Sequence, residues 1–341
     1  MRTTFILTIL GLSVNALAWI GLAFDSAADR GAVQLLNVSY DPTRELWRDL
    51  NVAFKSAYES NTGRRVTIRQ SHGGSGAQAR AVIDGLAGDV VTLALWSDTD
   101  AVRATGLIAD GWEDRLPHRS LPYYSTIVFV VRRGNPKAIR DWPDLVRNGV
   151  RVITPNPKTS GNGKLAFLAA WGAVAARGGS EAAAEDYVAR LYRQVPVLDT
   201  GARGATTTFA QNGIGDVHLT WENEAHLEVG ESGGALEIVY PSVSIRAEPY
   251  VAVVDRVVDR KRTRPTAEAY LRFLYTAQAQ EIIARNRLRP VDESVAAKYR
   301  ELLPAVELFP VAAVARDWRD AQRRFFADGG VFDRIYQPMG R

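Results

Sequence analysis

The stretch "RQSHGGSGAQARAVIDG", from Arg69 to Gly85, places three glycines and two serines immediately ahead of a helical pattern. Apolar residues at positions 79, 82, 83 and 86 have the spacing of one helix face, so the sequence predicts a helix here. The glycines leave the amides ahead of that helix uncovered. Free N–H groups and the positive end of the helix dipole together form a binding site for an anion. A flexible turn followed by an ordinary helix cap is the alternative.

The same arrangement recurs at three other predicted helix starts. "TPNPKTSGNGKLAF" begins at Thr154 and "DTGARGATTTF" begins at Asp199, and each leads from a strand through small residues into a helix. "SYDPTREL" brings Asp41 and Pro42 to the start of the first helix, where proline is favoured. Helix capping alone does not explain why four helix starts have uncovered amides. The sequence therefore predicts an anion site that is assembled from several helix N-termini.

Predicted strands and helices alternate along most of the chain, which indicates an α/β fold with two sheets. The predicted strands cover residues 33–40, 65–70, 89–95, 125–134, 149–155, 195–199 and 216–221. The predicted helices include residues 43–60, 163–177, 182–195, 266–286 and 317–328. Two α/β lobes joined by extended crossovers leave a cleft, which is a common place for a small ligand.

The N-terminus has the pattern of a secretory signal peptide over residues 1–28. Arg2 is followed by an apolar run of about 20 residues without charge until Asp25, and then by small residues. We expect cleavage near Ala27 or Ala28, with a retained membrane anchor as the alternative because the run is long enough to span a bilayer. The chain has no cysteine, which excludes disulfides, thiolate metal sites and a lipid-modified cysteine.

Composition and motifs argue against several other classes of function. The net charge of +4 comes from lysines and arginines that are scattered among acids, which is weak evidence for a nucleic-acid partner. Leu165 after Gly163 and Lys164 breaks the phosphate-binding P-loop pattern, and Ala77 breaks the nucleophile-elbow pattern around Ser75. Histidines and carboxylates lack metal-ligand spacing. We therefore expect no catalytic residue, no metal and no cofactor.

Five motifs in order, "LLNVSYDPTREL", "SHGGSGAQARAVIDGLAGDVVTLAL", "ITPNPKTSGNGKLAFLAAWG", "VLDTGARGATTTF" and "GIGDVHLTWENEA", resemble the periplasmic sulfate-binding and thiosulfate-binding proteins of the sulfate ABC importer. The resemblance extends from about Val33 to the C-terminal "GGVFDRIYQ". It implies the two-lobed periplasmic-binding-protein fold of type II, in which hinge closure buries the ligand. The implied first lobe combines residues 33–125 with residues 248–341, which include the C-terminal helices, and the second lobe is 126–247.

The same resemblance implies a monomeric periplasmic protein that delivers sulfate or thiosulfate to the permease and ATPase subunits of an importer. A binding protein for another oxyanion, such as phosphate or molybdate, is one alternative. An exported α/β hydrolase or phosphatase is a second alternative, from a different functional class.

The resemblance also implies how the anion is held. The implied donors are the main-chain amides of Asp41, Ser75, Gly161, Asn162 and Ala202, the Ser160 hydroxyl and the Trp221 indole N–H. Many relatives have glycine at the position of Asn162. Neutral donors aimed by helix starts can replace the water around a doubly charged anion without a buried lysine or arginine. We expect the Asp41 carboxylate to face away from the anion, toward Arg44 or Arg203.

Overall fold

The computed structural model describes residues 31–336, so the predicted signal peptide over residues 1–28 lies outside the described part of the chain. Strands and helices alternate from Val33 onward, as the sequence predicts. The elements of this first segment are β1 (Val33–Tyr40), a 3₁₀ helix (Asp41–Thr43), α1 (Arg44–Thr62), β2 (Val66–Gly73), α2 (Ser75–Ile83), β3 (Val90–Leu93), α3 (Trp96–Ala104), a 3₁₀ helix (Trp112–Arg115) and β4 (Tyr123–Tyr124).

The middle and final segments continue the same alternation. The middle elements are β5 (Ile127–Arg132), a 3₁₀ helix (Trp142–Val146), β6 (Val152–Ile153), α4 (Gly161–Ala175), α5 (Glu181–Arg193), α6 (Ala202–Thr206) with a π turn (Thr207–Gln211), β7 (Val217–Trp221), α7 (Glu222–Glu231), β8 (Leu236–Val239) and β9 (Val243–Ile245). The final elements are β10 (Tyr250–Val253), α8 (Asp255–Lys261), α9 (Arg264–Phe273), α10 (Ala277–Arg285), β11 (Arg289–Pro290), α11 (Glu293–Lys298), β12 (Glu307–Phe309), a 3₁₀ helix (Val311–Ala313), α12 (Trp318–Ala321), a π turn (Gln322–Phe326) and α13 (Val331–Ile335).

The first lobe is built on a four-stranded sheet in the order β10-β3-β1-β2. β1 is parallel to both β2 and β3, whereas β10 returns from the middle segment and lies antiparallel to β3. Helix α1 covers this sheet with one apolar face, formed by Leu46, Trp47, Leu50, Phe54 and Tyr58. Burying each of these large side chains contributes about 1.5–3 kcal/mol, which fixes the helix against the sheet.

The second lobe is built on a sheet in the order β6-β7-β5-β8. β6 is parallel to β7, and β5 is antiparallel to both β7 and β8. Extended crossovers join the lobes, with an isolated bridge between Ser125 and Ala247. The result is two α/β lobes with a cleft between them, as the sequence predicts. Within residues 31–336, no helix is long and apolar enough to cross a membrane, and no cluster of ionisable side chains could hold a metal.

The C-terminal helices pack on the second lobe, whereas the predicted division assigned all of residues 248–341 to the first lobe. The Phe325 ring lies 4.9 Å from that of Trp171, and the Phe332 ring lies 5.3 Å from that of Tyr192. This packing corrects the predicted assignment for the helices that follow β12. It also explains why α4 is buried along almost its whole length, since both the second sheet and these helices pack against it.

Two predicted elements differ in detail. The predicted helix over residues 266–286 is two helices, α9 and α10, because the Thr276 side chain accepts a hydrogen bond from the Ala279 amide and so caps a new start. Residues 195–199 form no strand. Among the described residues, the Gln194 and Asp199 carbonyls, at the two ends of this segment, accept hydrogen bonds from the Val152 and Asn156 amides. Pro196, between them, has no amide to donate.

Candidate functional site

A small cavity lies between the two lobes, at the ends of β1, β2 and β7. All seven of the predicted anion-binding residues line it. The full lining consists of Tyr40, Asp41, Pro42, Gly73, Gly74, Ser75, Ala94, Ser160, Gly161, Asn162, Gly201, Ala202 and Trp221. Residues more than 100 positions apart in the chain therefore meet in one place, and the four predicted helix starts point to the same space.

The first of these starts is the turn that follows β1. Asp41 opens the 3₁₀ helix, and the Arg44 guanidinium donates to its carboxylate at 2.6 Å. Of the two predicted partners for Asp41, the structure therefore selects Arg44. Arg203 lies at the same mouth of the cleft but pairs with Glu45 at 3.0 Å and Glu224 at 2.9 Å. The Asp41 carboxylate is thus engaged by a cation, as the sequence analysis expected.

Ser75 is the first residue of α2 and follows Gly74, whose backbone is extended. Its hydroxyl donates to the Asp98 carboxylate at 2.5 Å and accepts from the Ala94 amide at 3.0 Å. The hydroxyl is therefore used inside the first lobe. The amide of a residue at the start of a helix has no intrahelical partner, so the main-chain N–H of Ser75 is the group that this residue can offer to a ligand.

The second lobe contributes the N-terminus of α4. Ser160 caps this helix, because its hydroxyl oxygen accepts from the Gly163 amide at 3.3 Å. A hydroxyl has one hydrogen and two lone pairs, so capping leaves the Ser160 hydrogen free to donate. Position 163 needs glycine, since an added Cβ would lie 2.5 Å from the Pro155 carbonyl oxygen.

Asn162 lies in the first turn of α4 and is buried, with 3% of its surface exposed. Its backbone φ is not positive, so the conformational freedom of glycine is not required here. The side-chain amide donates to the Leu219 carbonyl at 3.4 Å. Leu219 lies on β7, one residue beyond the end of the ladder between β6 and β7. Asn162 ties the start of α4 to the strand that carries Trp221.

Trp221 is the last residue of β7, and its side chain is fully buried. Within the described residues its indole Nε1 has no hydrogen-bond partner, although it is shielded from solvent. Leaving such a donor unpaired costs about 1–3 kcal/mol, and a bound ligand that accepts a hydrogen bond from it would remove this cost. Ala202 lies nearby at the start of α6, where the extended Gly201 leaves the first amides uncovered.

Comparison with known proteins identifies the family. A family model described as "Bacterial extracellular solute-binding protein" matches residues 42–287 of the chain. The chain belongs to this family. The thiosulfate-binding protein of Pseudomonas aeruginosa is 52% identical over 93% of this chain and 96% of its own length. The sulfate-binding protein of Salmonella typhimurium is 54% identical over 89% of this chain and 93% of its own length.

A solved structure extends the likeness to the fold. The sulfate-binding protein of Mycobacterium tuberculosis superimposes with a TM-score of 0.78 at 32% identity, over 86% of this chain and 99% of that one. A periplasmic thiamin-binding protein, at 19% identity and a TM-score of 0.62, has a similar fold. These matches confirm the two-lobed, type II periplasmic-binding fold that the sequence predicts.

The electrostatics of this solute-binding protein are unusual for a site that faces an anion. Asp41 is the one carboxylic acid among the lining residues, and no lysine or arginine is among them. Just outside the lining, burial raises the pKa of Glu224 to about 7 despite the opposing effect of Arg203. Burial likewise lowers the pKa of His72 to about 4, and Arg44 adds to this effect. The imidazole next to the glycine loop is therefore neutral near pH 7.

Sequence reasoning missed the residues that support the donors. Asp98 fixes the Ser75 hydroxyl, and Lys164 of the second lobe lies 4.0 Å from the same carboxylate. Glu45 and Glu224, also missed, hold Arg203, which follows Ala202 in the chain and which the sequence suggested only as a partner of Asp41. Lys164 and Arg203 each follow a predicted donor closely in sequence. That proximity was the one signal in the sequence that could have pointed to these ion pairs.

Proposed function

We propose that this protein captures sulfate or thiosulfate in the periplasm, closes around it, and delivers it to the membrane subunits of an ABC importer. The proposal is supported by the relatives, whose names are sulfate-binding and thiosulfate-binding protein. It assigns the anion to the cavity between the lobes, with five main-chain amides, the Ser160 hydroxyl and the Trp221 indole as donors. Export through the N-terminal signal peptide, and a monomeric state, are parts of the same proposal.

The buried Trp221 Nε1 is the single observation that carries this function. A donor that is shielded from water and has no partner within the described residues needs an acceptor that the protein itself does not supply. Trp221 lines a space bordered by helix starts, whose amides and dipoles favour negative charge. An acceptor-only anion such as sulfate satisfies all of these groups at once.

The same donor set argues for sulfate against phosphate. Near neutral pH, phosphate keeps at least one proton, and in a shell of donors that hydrogen meets another hydrogen instead of an acceptor. An unsatisfied buried polar group costs about 1–3 kcal/mol, which disfavours phosphate about 5- to 150-fold. The Asp41 carboxylate, which could accept the proton, is held by Arg44.

Calorimetric titration with sulfate, thiosulfate, phosphate and molybdate, between about pH 5 and about pH 8, tests the assignment. We expect tight binding of sulfate or thiosulfate that changes little with pH, and weak competition by phosphate throughout. Trp221→Phe keeps an aromatic ring but removes the donor, so it should bind more weakly while remaining folded. Tight phosphate binding would contradict the donor-only site, and unchanged affinity in Trp221→Phe would remove the indole from it.

We infer binding without catalysis. The Ser75 hydroxyl is hydrogen-bonded to a carboxylate and a main-chain amide, and no histidine is among the residues that line the cavity. A hydrolase or phosphatase would need a nucleophile paired with a base. Turnover of a chromogenic phosphate or carboxylate ester by the purified protein, lost in Ser75→Ala, would favour the enzyme alternative.

A further inference from the structure

The C-terminal helix α12 reaches across the cleft to the first lobe. Arg319 donates to the two carboxylate oxygens of Asp100, from Nε at 3.0 Å and from Nη2 at 3.1 Å. Its guanidinium also lies over the Trp96 ring, 5.0 Å from the ring centroid. Trp96 and Asp100 both belong to α3, which packs against β3 and β10 of the first sheet. We call Trp96, Asp100 and Arg319 the C-terminal clasp.

Arg319 is anchored to the second lobe. Its neighbour Trp318 is buried in the core that contains α4. The aromatic residues that follow extend this anchor, since the Phe326 ring lies 5.4 Å from that of Phe167. The clasp therefore joins the second lobe to the first, and a hinge motion that moves α12 away from α3 would break it.

Asp100, which belongs to the first lobe, is held in place by a neighbouring residue of the same helix. Arg103, one turn along α3, donates to Asp100 Oδ1 at 2.6 Å and fixes the carboxylate. The Asp100 side chain is 11% exposed, whereas that of Arg319 is 62% exposed. Closure thus orders only one flexible side chain, and it gains a bidentate ion pair together with a cation–π contact.

We propose that the C-terminal clasp stabilises the closed form and slows release of the bound anion, although none of its residues lines the anion cavity. This proposal depends on the proposed function in one respect, namely that the bound ligand closes the lobes. Removing Arg319 deletes one exposed ion pair and one exposed cation–π contact, so it should accelerate sulfate release about 3- to 30-fold, with little change in the association rate.

Arg316→Ala provides a matched control. Arg316 is a more exposed arginine three residues earlier, and its acidic partner Asp320 lies four residues away on the same side of the cleft. Stopped-flow release of sulfate should be faster in Arg319→Ala than in wild type, and unchanged in Arg316→Ala. Because the pair is exposed, the difference should shrink at about 1 M sodium chloride. Equal release rates in Arg319→Ala and wild type would overturn the proposal.

A second readout does not depend on sulfate. The chain has no cysteine, so cysteines placed at Val52 in α1 and Ala182 in α5, both exposed, can carry a fluorescent pair that reports the distance between the lobes. We expect a smaller closed fraction in Arg319→Ala than in Arg316→Ala, with sulfate or without it. If wild type binds neither sulfate nor thiosulfate, the proposed function fails. Identical distance distributions in the two variants would overturn the clasp in either case.

Discussion

Ser75 and Ser160 use the same hydroxyl group in different ways. The Ser160 hydrogen is free to bind the anion, whereas the Ser75 hydroxyl is bonded to Asp98 and Ala94. Ser160→Ala should weaken sulfate binding by about 1.5–3 kcal/mol, the cost of losing a hydrogen bond to a charged group. Ser75→Ala keeps its amide but leaves buried partners unsatisfied, so it should lower the free energy of unfolding more than the affinity. Calorimetry and denaturant unfolding separate the two effects; equal losses of affinity would contradict the assigned roles.

Glu224 makes the free energy of unfolding depend on pH, and the shift of its pKa gives the direction of that dependence. Burial raises its pKa from 4.5 to about 7, so the folded state binds the proton more tightly than the unfolded chain does. Its contribution to the free energy of unfolding is therefore present at low pH and falls as the pH rises from about 4.5 through about 7. Glu224→Gln cannot titrate and should lose this fall, which amounts to at most about 3 kcal/mol. Urea unfolding across this pH range tests the prediction, and parallel profiles would count against it.

At the residue scale, the sequence was most informative where main-chain groups act. Helix starts can be located from small residues and apolar spacing, and the seven predicted residues do line one cavity. Their roles as ligands stay a prediction. The supporting ion pairs could not be predicted, because Asp98 and Lys164 are 66 positions apart and meet only when the lobes pack together. The sequence around either residue does not indicate which residue it pairs with.

At the scale of elements, the turn that leads into β4 is strained. His118, Arg119 and Ser120 have φ values of 51°, 56° and 62°, in the left-handed region that favours glycine. The Ser120 hydroxyl stabilises the turn by donating to the Trp112 and Glu113 carbonyls. Each non-glycine residue in this region costs about 1–2 kcal/mol, which is partly offset by the lower entropy of the unfolded chain.

Arg119→Gly should therefore raise the free energy of unfolding by about 0.5–1 kcal/mol, since glycine adopts this backbone without strain. The Arg119 side chain is 71% exposed, so the loss of its pair with Glu113 offsets little of this gain. Ser56→Gly, at an exposed position inside α1, is the control and should be destabilising by about 0.5 kcal/mol. A destabilised Arg119→Gly variant would show that the turn is not strained.

The elements that sequence reasoning placed wrongly share a cause. The break between α9 and α10 depends on one threonine cap, and the apolar spacing on either side continues as if no break existed. The C-terminal helices have an amphipathic pattern that predicts a helix but not the surface it covers. Which lobe receives Phe325 and Phe332 is decided by the aromatic residues of α4 and α5, more than 130 positions earlier. Such long-range choices are not encoded in local periodicity.

At the scale of the whole molecule, the closed form is held by contacts that cross the cleft at several places. Arg203 pairs with Glu45, and the Asn223 side chain donates to the Pro42 carbonyl at 2.7 Å. The anion cavity lies between such contacts and has walls from both lobes. A ligand that binds both walls favours closure by its differential affinity for the closed form. Small-angle scattering should therefore give a smaller radius of gyration with saturating sulfate than without it.

Gly161 provides a way to hinder closure without removing a donor. A Cβ at this position would lie 3.1 Å from that of Ala94 and 3.7 Å from that of Ser75, across the cleft. Overpacking a closed interface costs about 1–3 kcal/mol, so Gly161→Ala should weaken sulfate binding about tenfold while it keeps its amide. Gly76→Ala, whose Cβ would meet nothing closer than 3.9 Å, is the matched control and should bind like wild type. At a sulfate concentration that saturates wild type, scattering should report a larger radius of gyration for Gly161→Ala alone. Equal affinity in the two variants would mean that the anion is bound without the lobes meeting at Gly161.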